Sequence, residues 1–331
     1  MDENSRLLTN LQTIRMAACR VEKIARRTPL VELAQAGVSG PGTGRSLWLK
    51  AENLQPIGSF KIRGAANRIF SLSEEERSRG VITHSSGNHA QGVAYAARAV
   101  GAKAVIVMPR NAPAVKRAAT LALGAEVVDV GPTADDRQSK CDELVARHGY
   151  TVVPPYDDAD VIAGQGTIGI EIVEDLPDVE LVLVPVSGGG LISGIAAAIK
   201  QLRPQCKVYG VEPELAADAA ESYLKGEIVR WDAGRTVRTL ADGLRCQSVG
   251  HRNMAHIMAF VDGFVTVTEA EIRAAMRAIA SSTRLIAEPS GAVTTAAMLF
   301  HADKLPQVHQ CVSILSGGNV DPALLAEVLS E

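Results

Sequence analysis

The sequence is poor in aromatic residues and has no excess of charge of either sign, and each shortage excludes a class of protein. Phe, Trp and Tyr make up 4% of the 331 residues, too few for a lectin-like aromatic groove. Lys and Arg number 34 against 37 Asp and Glu, and this net charge of -3 provides no basic surface for nucleic acid or an anionic membrane. No run of about 18 apolar residues is present, so we expect no membrane span.

Cysteines are also few, and their placement predicts a reducing compartment. The five cysteines include no C-x-x-C pair and are widely dispersed. An odd, scattered set favours free thiols over a disulfide framework. The first ten residues are polar and lack the apolar segment of a signal peptide. We therefore expect a cytoplasmic protein.

Short apolar runs alternate with segments of helical pattern along most of the chain. Continuous apolar strands between helices are typical of parallel sheets covered on both faces, so we predict an α/β fold. The units within residues 79–157 form a self-contained set. We predict a smaller domain there and a larger, discontinuous domain from residues 1–78 and 158–331. The predicted strands are 47–49, 81–83, 104–108, 126–130, 181–186, 207–211, 264–267 and 311–315.

A glycine-rich turn at Ser187-Gly188-Gly189-Gly190-Leu191 follows an apolar strand and opens a helix. Glycines let the backbone approach an anion closely, and a helix N-terminus offers free N–H groups, so this pattern favours a phosphate site over an empty tight turn. Residue 193 is Ser, not the last glycine of G-x-G-x-x-G. Glu212 nevertheless ends the next strand, where a dinucleotide fold has its ribose-binding acid. A nicotinamide-dependent dehydrogenase therefore stays open on spacing alone.

Three other turns could contain functional residues, but their sequences alone do not distinguish a functional role from a structural one. Lys61 follows a turn and could be a buried Schiff-base lysine, although most lysines are solvated surface groups. The segment Ser85–His89 could cap a helix or bind a carboxylate with hydroxyls and amides. The segment Ser316–Asn319 directly follows an apolar strand and could be a plain turn or a ligand contact.

In their order and spacing, these four segments resemble fold-type II pyridoxal-phosphate enzymes, and the chain is similar to their serine/threonine dehydratase and serine racemase branch. The resemblance implies a tryptophan synthase β-like α/β fold. It has two open, mostly parallel sheets, a large cofactor domain and a smaller mobile domain. The segments are 59–65 (SFKIRGA), 85–92 (SSGNHAQG), 187–191 (SGGGL) and 316–319 (SGGN).

The resemblance implies a role for each residue of the segments. Lys61 would hold pyridoxal 5'-phosphate and then act as base on the substrate Cα, and Phe60 would lie against the ring. Asn88 would bind the ring hydroxyl. Ser316 would face the pyridine nitrogen. The phosphate would be bound by Ser187, Gly188, Gly189, Gly190 and Leu191, and the substrate carboxylate by Ser85, Ser86, Gly87 and His89.

Ser316 and Ser86 bear on the reaction. A neutral hydroxyl at the pyridine nitrogen, unlike an aspartate, does not make the ring a strong electron sink, which favours β-elimination over transamination. The expected products are a 2-oxo acid and ammonia from L-threonine or L-serine. Ser86 occupies the position where serine racemases carry a second acid/base opposite the lysine. Racemisation, alone or beside elimination, is therefore the alternative.

The resemblance also implies a divalent cation and two arginines at the substrate. Glu212 and Asp218 would provide carboxylates and Ala216 its backbone carbonyl to Mg²⁺, or to Ca²⁺ or Mn²⁺. Without the resemblance, two helix N-terminal acids are the plainer interpretation. Arg137 could turn to the substrate carboxylate. Arg245 could pair with a second carboxylate, which keeps L-threo-3-hydroxyaspartate open as a substrate, although a surface arginine is the plainer interpretation.

The sequence thus predicts an enzyme that acts on a small amino acid, binds neither nucleic acid nor membrane, and forms a homodimer. Two hypotheses from other classes remain. One is the nicotinamide dehydrogenase. The other is a non-catalytic amino-acid-binding protein, which would not need a reactive lysine.

Overall fold

The structure of the chain is a computed structural model that describes residues 7–34, 44–85, 87–110, 112, 114–131 and 133–331. Ser86 lies outside the described residues. Within them the chain forms ten strands: β1 (Leu30–Glu32), β2 (Ser46–Ala51), β3 (Val81–His84), β4 (Ala104–Pro109), β5 (Glu126–Val130), β6 (Thr151–Val152), β7 (Leu181–Pro185), β8 (Lys207–Pro213), β9 (Gly263–Val267) and β10 (Gln310–Leu315).

The helices of the described residues fill the intervals between the strands. They are α1 (Leu11–Val21), α2 (Lys61–Ser71), α3 (Glu74–Arg79), α4 (Asn88–Ala99), α5 (Ala114–Ala122), α6 (Ala134–His148), α7 (Ala159–Asp175), α8 (Gly190–Leu202), α9 (Asp218–Lys225), α10 (Ala233–Thr236), α11 (His251–Phe260), α12 (Glu269–Thr283), α13 (Pro289–Phe300) and α14 (Pro322–Ser330).

The larger of the two sheets has six strands in the order β1-β2-β10-β7-β8-β9. All neighbours pair in parallel except β1, which runs antiparallel to β2. Successive residues of β7 enter two different cores, since Leu181 and Leu183 pack on one face and Val182 and Val184 on the other. Burial of both faces explains the unbroken apolar run of this strand.

The smaller sheet has four parallel strands in the order β5-β4-β3-β6, all from residues between 81 and 152. It also has a core on each face. Ile106 and Met108 pack with α2 and α4 on one side, whereas Val105 and Val107 pack with α6 on the other. The predicted α/β class with two mostly parallel sheets is confirmed. The proposed mobility of the smaller part stays a prediction.

The parallel direction of the strands determines where their following turns meet. In the larger sheet β2, β10 and β7 are adjacent, with Ala51 opposite Leu315 and Val312 opposite Val182. Their carboxyl ends therefore share one edge, where ligands of open α/β sheets bind. No helix of the described residues has the length and apolar character needed to cross a membrane.

Candidate active site

The four segments singled out in the sequence converge at the carboxyl ends of the strands. The segment before Lys61 follows β2, Ser316 follows β10, and Ser187 follows β7 by two residues. Backbone contacts join the first two, since the Phe60 N–H donates to the Ser316 carbonyl at 3.0 Å and the Gly318 N–H to the Gly58 carbonyl at 2.9 Å. The fourth segment comes from the smaller sheet, after β3.

Lys61 is the first residue of α2, and its ammonium lies inside the site. Its Nζ donates to the Pro155 carbonyl at 2.7 Å and lies 5.2 Å from the centre of the Phe60 ring. Burial lowers the pKa of Lys61 to about 8. This lysine is therefore much closer to its neutral, nucleophilic form at physiological pH than a solvated one.

A buried group of four charges lies behind this lysine. The Arg63 guanidinium, on the first turn of α2, binds Glu52 at 2.8 Å and Glu171 at 2.6 Å. Lys50 also pairs with Glu171, at 2.7 Å. Because two positive and two negative charges share the site, the quartet is neutral and each ion is paired. It fixes the start of α2 to β2 and α7, and so fixes the backbone that carries Lys61.

The glycine-rich turn has the shape of an anion cradle. Gly189 caps α8 with φ of +94°, and no side chain makes a capping hydrogen bond at this helix N-terminus. A Cβ on Gly188 would lie 2.4 Å from the Tyr156 ring, and one on Gly190 would lie 2.9 Å from Tyr156 Cα. Only glycines fit these positions. The free N–H groups at the helix start remain available to a phosphate.

The turn after β3 supplies further donors. The Ser85 hydroxyl accepts from the Gly87 N–H at 3.3 Å, and Gly87 precedes α4 without a side-chain cap. His89 is 3% exposed and donates through Nε2 to the Val153 carbonyl at 3.0 Å. Burial and the nearby Lys61 lower the pKa of His89 to about 3. Its ring is therefore neutral, with Nε2 already bonded to Val153, and the predicted role of His89 at the substrate carboxylate stays a prediction.

Ser316 is buried and directly follows β10. Its hydroxyl donates to the Ser290 carbonyl at 3.4 Å, a long and weak bond. Residue 316 is thus a serine and not an aspartate or glutamate. The residue therefore offers a neutral, adjustable hydroxyl where the resemblance implies the pyridine nitrogen.

Sequence reasoning missed a line of polar contacts that borders the site. The Asn88 carboxamide donates to Glu288 at 2.5 Å and accepts from Asn319 at 2.9 Å. Glu288 in turn accepts from Lys116 at 3.4 Å, and Lys116 donates to Asp242 at 2.6 Å. Burial, with the help of Asp242, raises the pKa of Glu288 to about 7 despite the nearby Lys116. Glu288 directly precedes Pro289, so the sequence signal was only that of an ordinary helix start.

Two carboxylates predicted to bind a metal lie close together in the interior. Glu212 is fully buried at the end of β8 and accepts from the Ala219 and Ala220 N–H groups at 3.3 and 2.7 Å. Asp218 is 1% exposed, and neither of its carboxyl oxygens has a partner. Burial raises the pKa of Asp218 to about 7, and burial and the Asp218 charge raise the pKa of Glu212.

The third predicted ligand, Ala216, is also buried, in the short 3-10 turn between these acids. Across the described ranges, no group of three or more His, Cys, Asp or Glu side chains could hold a metal. Any cation here would therefore depend on two carboxylates and a backbone carbonyl.

The two predicted arginines differ in their surroundings. Arg137, in α6, is half-buried, and its charge acts on His84 at the end of β3 and on Cys246. It therefore approaches the site. Arg245 is exposed, and its guanidinium donates to the Thr239 carbonyl of its own loop at 3.1 and 2.5 Å. Those contacts stabilise the loop, and the substrate role of Arg245 stays a prediction.

Cys246 and Tyr156 are further residues that the sequence did not single out. The Cys246 N–H donates to the Ser187 hydroxyl at 3.1 Å, and burial raises the pKa of its thiol. The neighbouring Cys246 and burial raise the pKa of the Tyr156 phenol above its ordinary value. Both residues thus line the space between the glycine turn and Lys61 in neutral form.

These residues fit pyridoxal phosphate. An amine with a lowered pKa, a glycine cradle at a helix N-terminus and a neutral hydroxyl lie together at the carboxyl ends of the strands. Asn88 adds a carboxamide at the same edge. This set matches the aldehyde, phosphate, ring nitrogen and ring hydroxyl of that cofactor.

Comparison with known proteins agrees with this geometry. An L-threonine ammonia-lyase of Thermotoga maritima is 43% identical over 325 residues, which cover 98% of this chain and 79% of the relative. An L-threo-3-hydroxyaspartate ammonia-lyase of Saccharomyces cerevisiae is 39% identical over 315 residues, covering 95% of this chain and 94% of the relative. The structure of maize serine racemase superposes with a TM-score of 0.91 at 35% identity and covers 97% of each chain.

The family model described as pyridoxal-phosphate dependent enzyme matches residues 21–317. The match contains three of the four segments in full, the first two residues of the fourth, and both sheets. The fold is that of the fold-type II pyridoxal-phosphate enzymes, and the chain belongs to the pyridoxal-phosphate dependent enzyme family.

Proposed function

We propose that this enzyme removes water and ammonia from a β-hydroxy amino acid, with L-threonine or L-serine as its substrate. The substrate loses its Cα proton and its β-hydroxyl as water. The resulting enamine takes up water again and releases ammonia, which leaves a 2-oxo acid. The observation that carries this proposal is the low-pKa lysine, Lys61, held between a glycine phosphate cradle and the neutral Ser316.

Pyridoxal phosphate, when bound, supplies an aldehyde that condenses with amines and a conjugated ring that takes up electrons from Cα. The chain does the rest. Lys61 in its neutral form accepts the Cα proton, which its lowered pKa makes possible near neutral pH. The helix N-terminus at Gly87 and the nearby Arg137 orient the substrate carboxylate. Because Ser316 cannot protonate the ring as an acid would, rapid loss of the β-hydroxyl is favoured.

The test is to incubate the purified holoenzyme separately with L-threonine, L-serine and L-threo-3-hydroxyaspartate, and to measure 2-oxo acid and ammonia. We expect equal amounts of the two products, with the fastest substrate giving the natural one. Lys61→Ala should lose both turnover and the visible absorbance of the lysine-bound cofactor. Turnover that survives in Lys61→Ala would refute this role, and a chain without a cofactor would refute the proposal.

Racemisation is the second candidate, and the specific observation in its favour is a serine at position 86. The maize relative of known structure is a serine racemase. Chiral chromatography of the same L-serine reaction would detect D-serine. Ser86→Ala should abolish D-serine formation while part of the elimination survives. Equal loss of both reactions would assign Ser86 to the carboxylate pocket instead.

We also propose that a divalent cation binds the carboxylates of Glu212 and Asp218 and the carbonyl of Ala216. Two buried carboxylates, one with both oxygens unpaired, are a costly arrangement unless a cation or a proton compensates them. Hard oxygen ligands suit Mg²⁺, with Ca²⁺ or Mn²⁺ as substitutes. EDTA should lower the melting temperature and Mg²⁺ restore it. Asp218→Asn should not respond to either addition. A wild-type protein that ignores chelation and contains no metal would mean that the two carboxylates share a proton.

The expected homodimer and cytoplasmic location stay predictions. Light scattering of the purified holoenzyme at several concentrations tests the first of them. A mass of about 70 kDa, twice the 34.9 kDa of the chain, would agree with a dimer.

A further inference from the structure

Lys116 is a buried cation that none of the roles above uses. It lies on α5 beside the smaller sheet and is 5% exposed. A lysine is almost never buried this deeply without ionic partners. Its partners, Asp242 and Glu288, are 126 and 172 residues away in the sequence.

Both partners belong to the part of the chain that carries the larger sheet. Asp242 lies in the loop that precedes α11, and Glu288 caps α13, which packs on β10. The Glu288 N–H donates to the Gly317 carbonyl at 3.0 Å, directly beside Ser316. The two ion pairs of Lys116 therefore connect the part of the chain that carries the smaller sheet to the part that carries the larger sheet.

The crossing contact lies at the site itself. A Cβ on Gly87 would lie 3.8 Å from Lys116 Cδ, so the lysine stem runs along the turn proposed to bind the substrate carboxylate. Glu288 then bonds Asn88, and Asn319 joins Asn88 to the Ile57 carbonyl at 2.8 Å. One connected line thus runs from α5, past the proposed ring-hydroxyl ligand, to the backbone just before Lys61.

We propose that Lys116 and Glu288 are positioning residues: Lys116 ties the smaller half to the larger one across the site, and Glu288 orients the Asn88 carboxamide. The inference rests on the proposed function, because Asn88 and the Gly87 turn derive their roles from it. Neither residue needs to touch the reacting atoms. Lys116 compensates a pair of carboxylates, the buried Glu288 and the half-buried Asp242, and its loss would leave the two to repel each other across the site.

The first test uses the holoenzyme with Lys116→Met, which keeps the stem against Gly87 but removes the ammonium. We expect KM for the best substrate to rise about tenfold, with a smaller change in kcat, and amide exchange in α5 to accelerate about tenfold. Lys116→Arg should recover most of both effects. The matched control is Arg117→Met, the next residue of α5, whose partner Asp129 belongs to the same sheet's half. It should stay within twofold of wild type.

The second test addresses Glu288 and has a readout that does not depend on turnover. Glu288→Gln retains the shape of the side chain but reverses part of its hydrogen bonding to Asn88. We expect a shift of the visible absorbance band of the bound cofactor and about tenfold weaker cofactor binding. A double-mutant cycle with Lys116→Met should be non-additive, with the pair losing at least threefold less than the product of the single losses.

The outcomes separate this inference from the function on which it rests. A wild-type chain with no cofactor or no oxo-acid product overturns the proposed function. A chain that binds cofactor and turns over substrate, but whose Lys116→Met behaves like Arg117→Met, overturns the inference alone. So do additive losses together with an unchanged absorbance band in Glu288→Gln. If Lys116→Met does not fold, the absorbance band and cofactor affinity of Glu288→Gln, compared with those of Arg117→Met, decide the inference.

Discussion

Lys61 should destabilise the cofactor-free protein, and removing its charge should make the fold more stable. Its pKa falls from an ordinary 10.5 to about 8 on burial. The unfolded chain therefore binds this proton more tightly than the native one. The resulting loss is about 3 kcal/mol at pH 7 and about 2 kcal/mol at pH 9, because one pKa unit corresponds to about 1.4 kcal/mol. Above pH 10.5 both states are neutral and the penalty disappears.

We therefore expect Lys61→Met, compared with wild-type protein stripped of cofactor, to be more stable at pH 7 by about 3 kcal/mol, less the contribution of the bond to Pro155. The advantage should shrink steadily as the pH rises from 8 to 10. Urea unfolding at four pH values measures it, with cofactor removal verified by absorbance. Lys23→Met, at an exposed lysine on the larger half, is the control and should change stability little at any pH.

The outcome that would refute the reasoning is a Lys61→Met variant that is less stable than wild type at pH 7. A gain that does not vary with pH would also refute it, because packing of a methionine, not release from a buried charge, would then be the cause. In either case the lysine would be solvated in the cofactor-free protein, and its reactivity would need another explanation.

Three further predictions concern residues around the site. Arg63→Lys cannot satisfy Glu52 and Glu171 together and should lower the free energy of unfolding by about 3 kcal/mol, whereas Arg27→Lys, in an exposed pair with Glu174, should cost about 1 kcal/mol or less in urea unfolding. Gly188→Ala should weaken cofactor binding at least tenfold in absorbance titrations because its Cβ would clash with the Tyr156 ring, and an unchanged affinity would mean that the cradle is not the phosphate site. From pH 7 to pH 5, the free energy of unfolding should fall by about 2 kcal/mol more in wild type than in His89→Gln, which retains a donor to Val153. Because the pKa of His89 is about 3 in the folded protein, only the unfolded histidine gains a proton in this range. Equal losses in both proteins would show that His89 takes up a proton while folded.

The strands were predictable because their burial leaves a direct trace in composition. The predicted strands at 104–108 and 311–315 agree with β4 and β10 to within one residue. Both sheets bury strands on two faces, and such strands must be apolar throughout. By contrast, β1 and β6 have three and two residues, too few for any periodic pattern. Their pairing depends on neighbours that are distant in sequence.

Helix α2 shows why the most important helix escaped the pattern. Seven of its residues are buried, and they include Arg63 and Asn67 as well as Ile62 and Ile69. Its buried surface includes polar residues that find partners inside, so apolar letters alone do not mark how much of this helix is buried. The same holds for α11, where Asn253 and His256 are fully buried. In both helices, tertiary contacts to polar partners replace the apolar periodicity.

The site itself could be predicted only in the part that lies in the turns. The local sequence of a turn such as Ser187–Gly190 is enough to predict a phosphate site, since consecutive glycines at a helix start favour the binding of an anion. The sequence around Lys116 does not indicate its role, because a buried lysine and a solvated one are the same letter in the sequence. What distinguishes it is the pair of carboxylates, Asp242 and Glu288, that folding brings to its ammonium. Charges in an interior must be compensated wherever the chain can supply a partner. A buried cation near a predicted ligand turn is therefore a functional signal that exists only in three dimensions, and it is the place where a structure of this family adds most to its sequence.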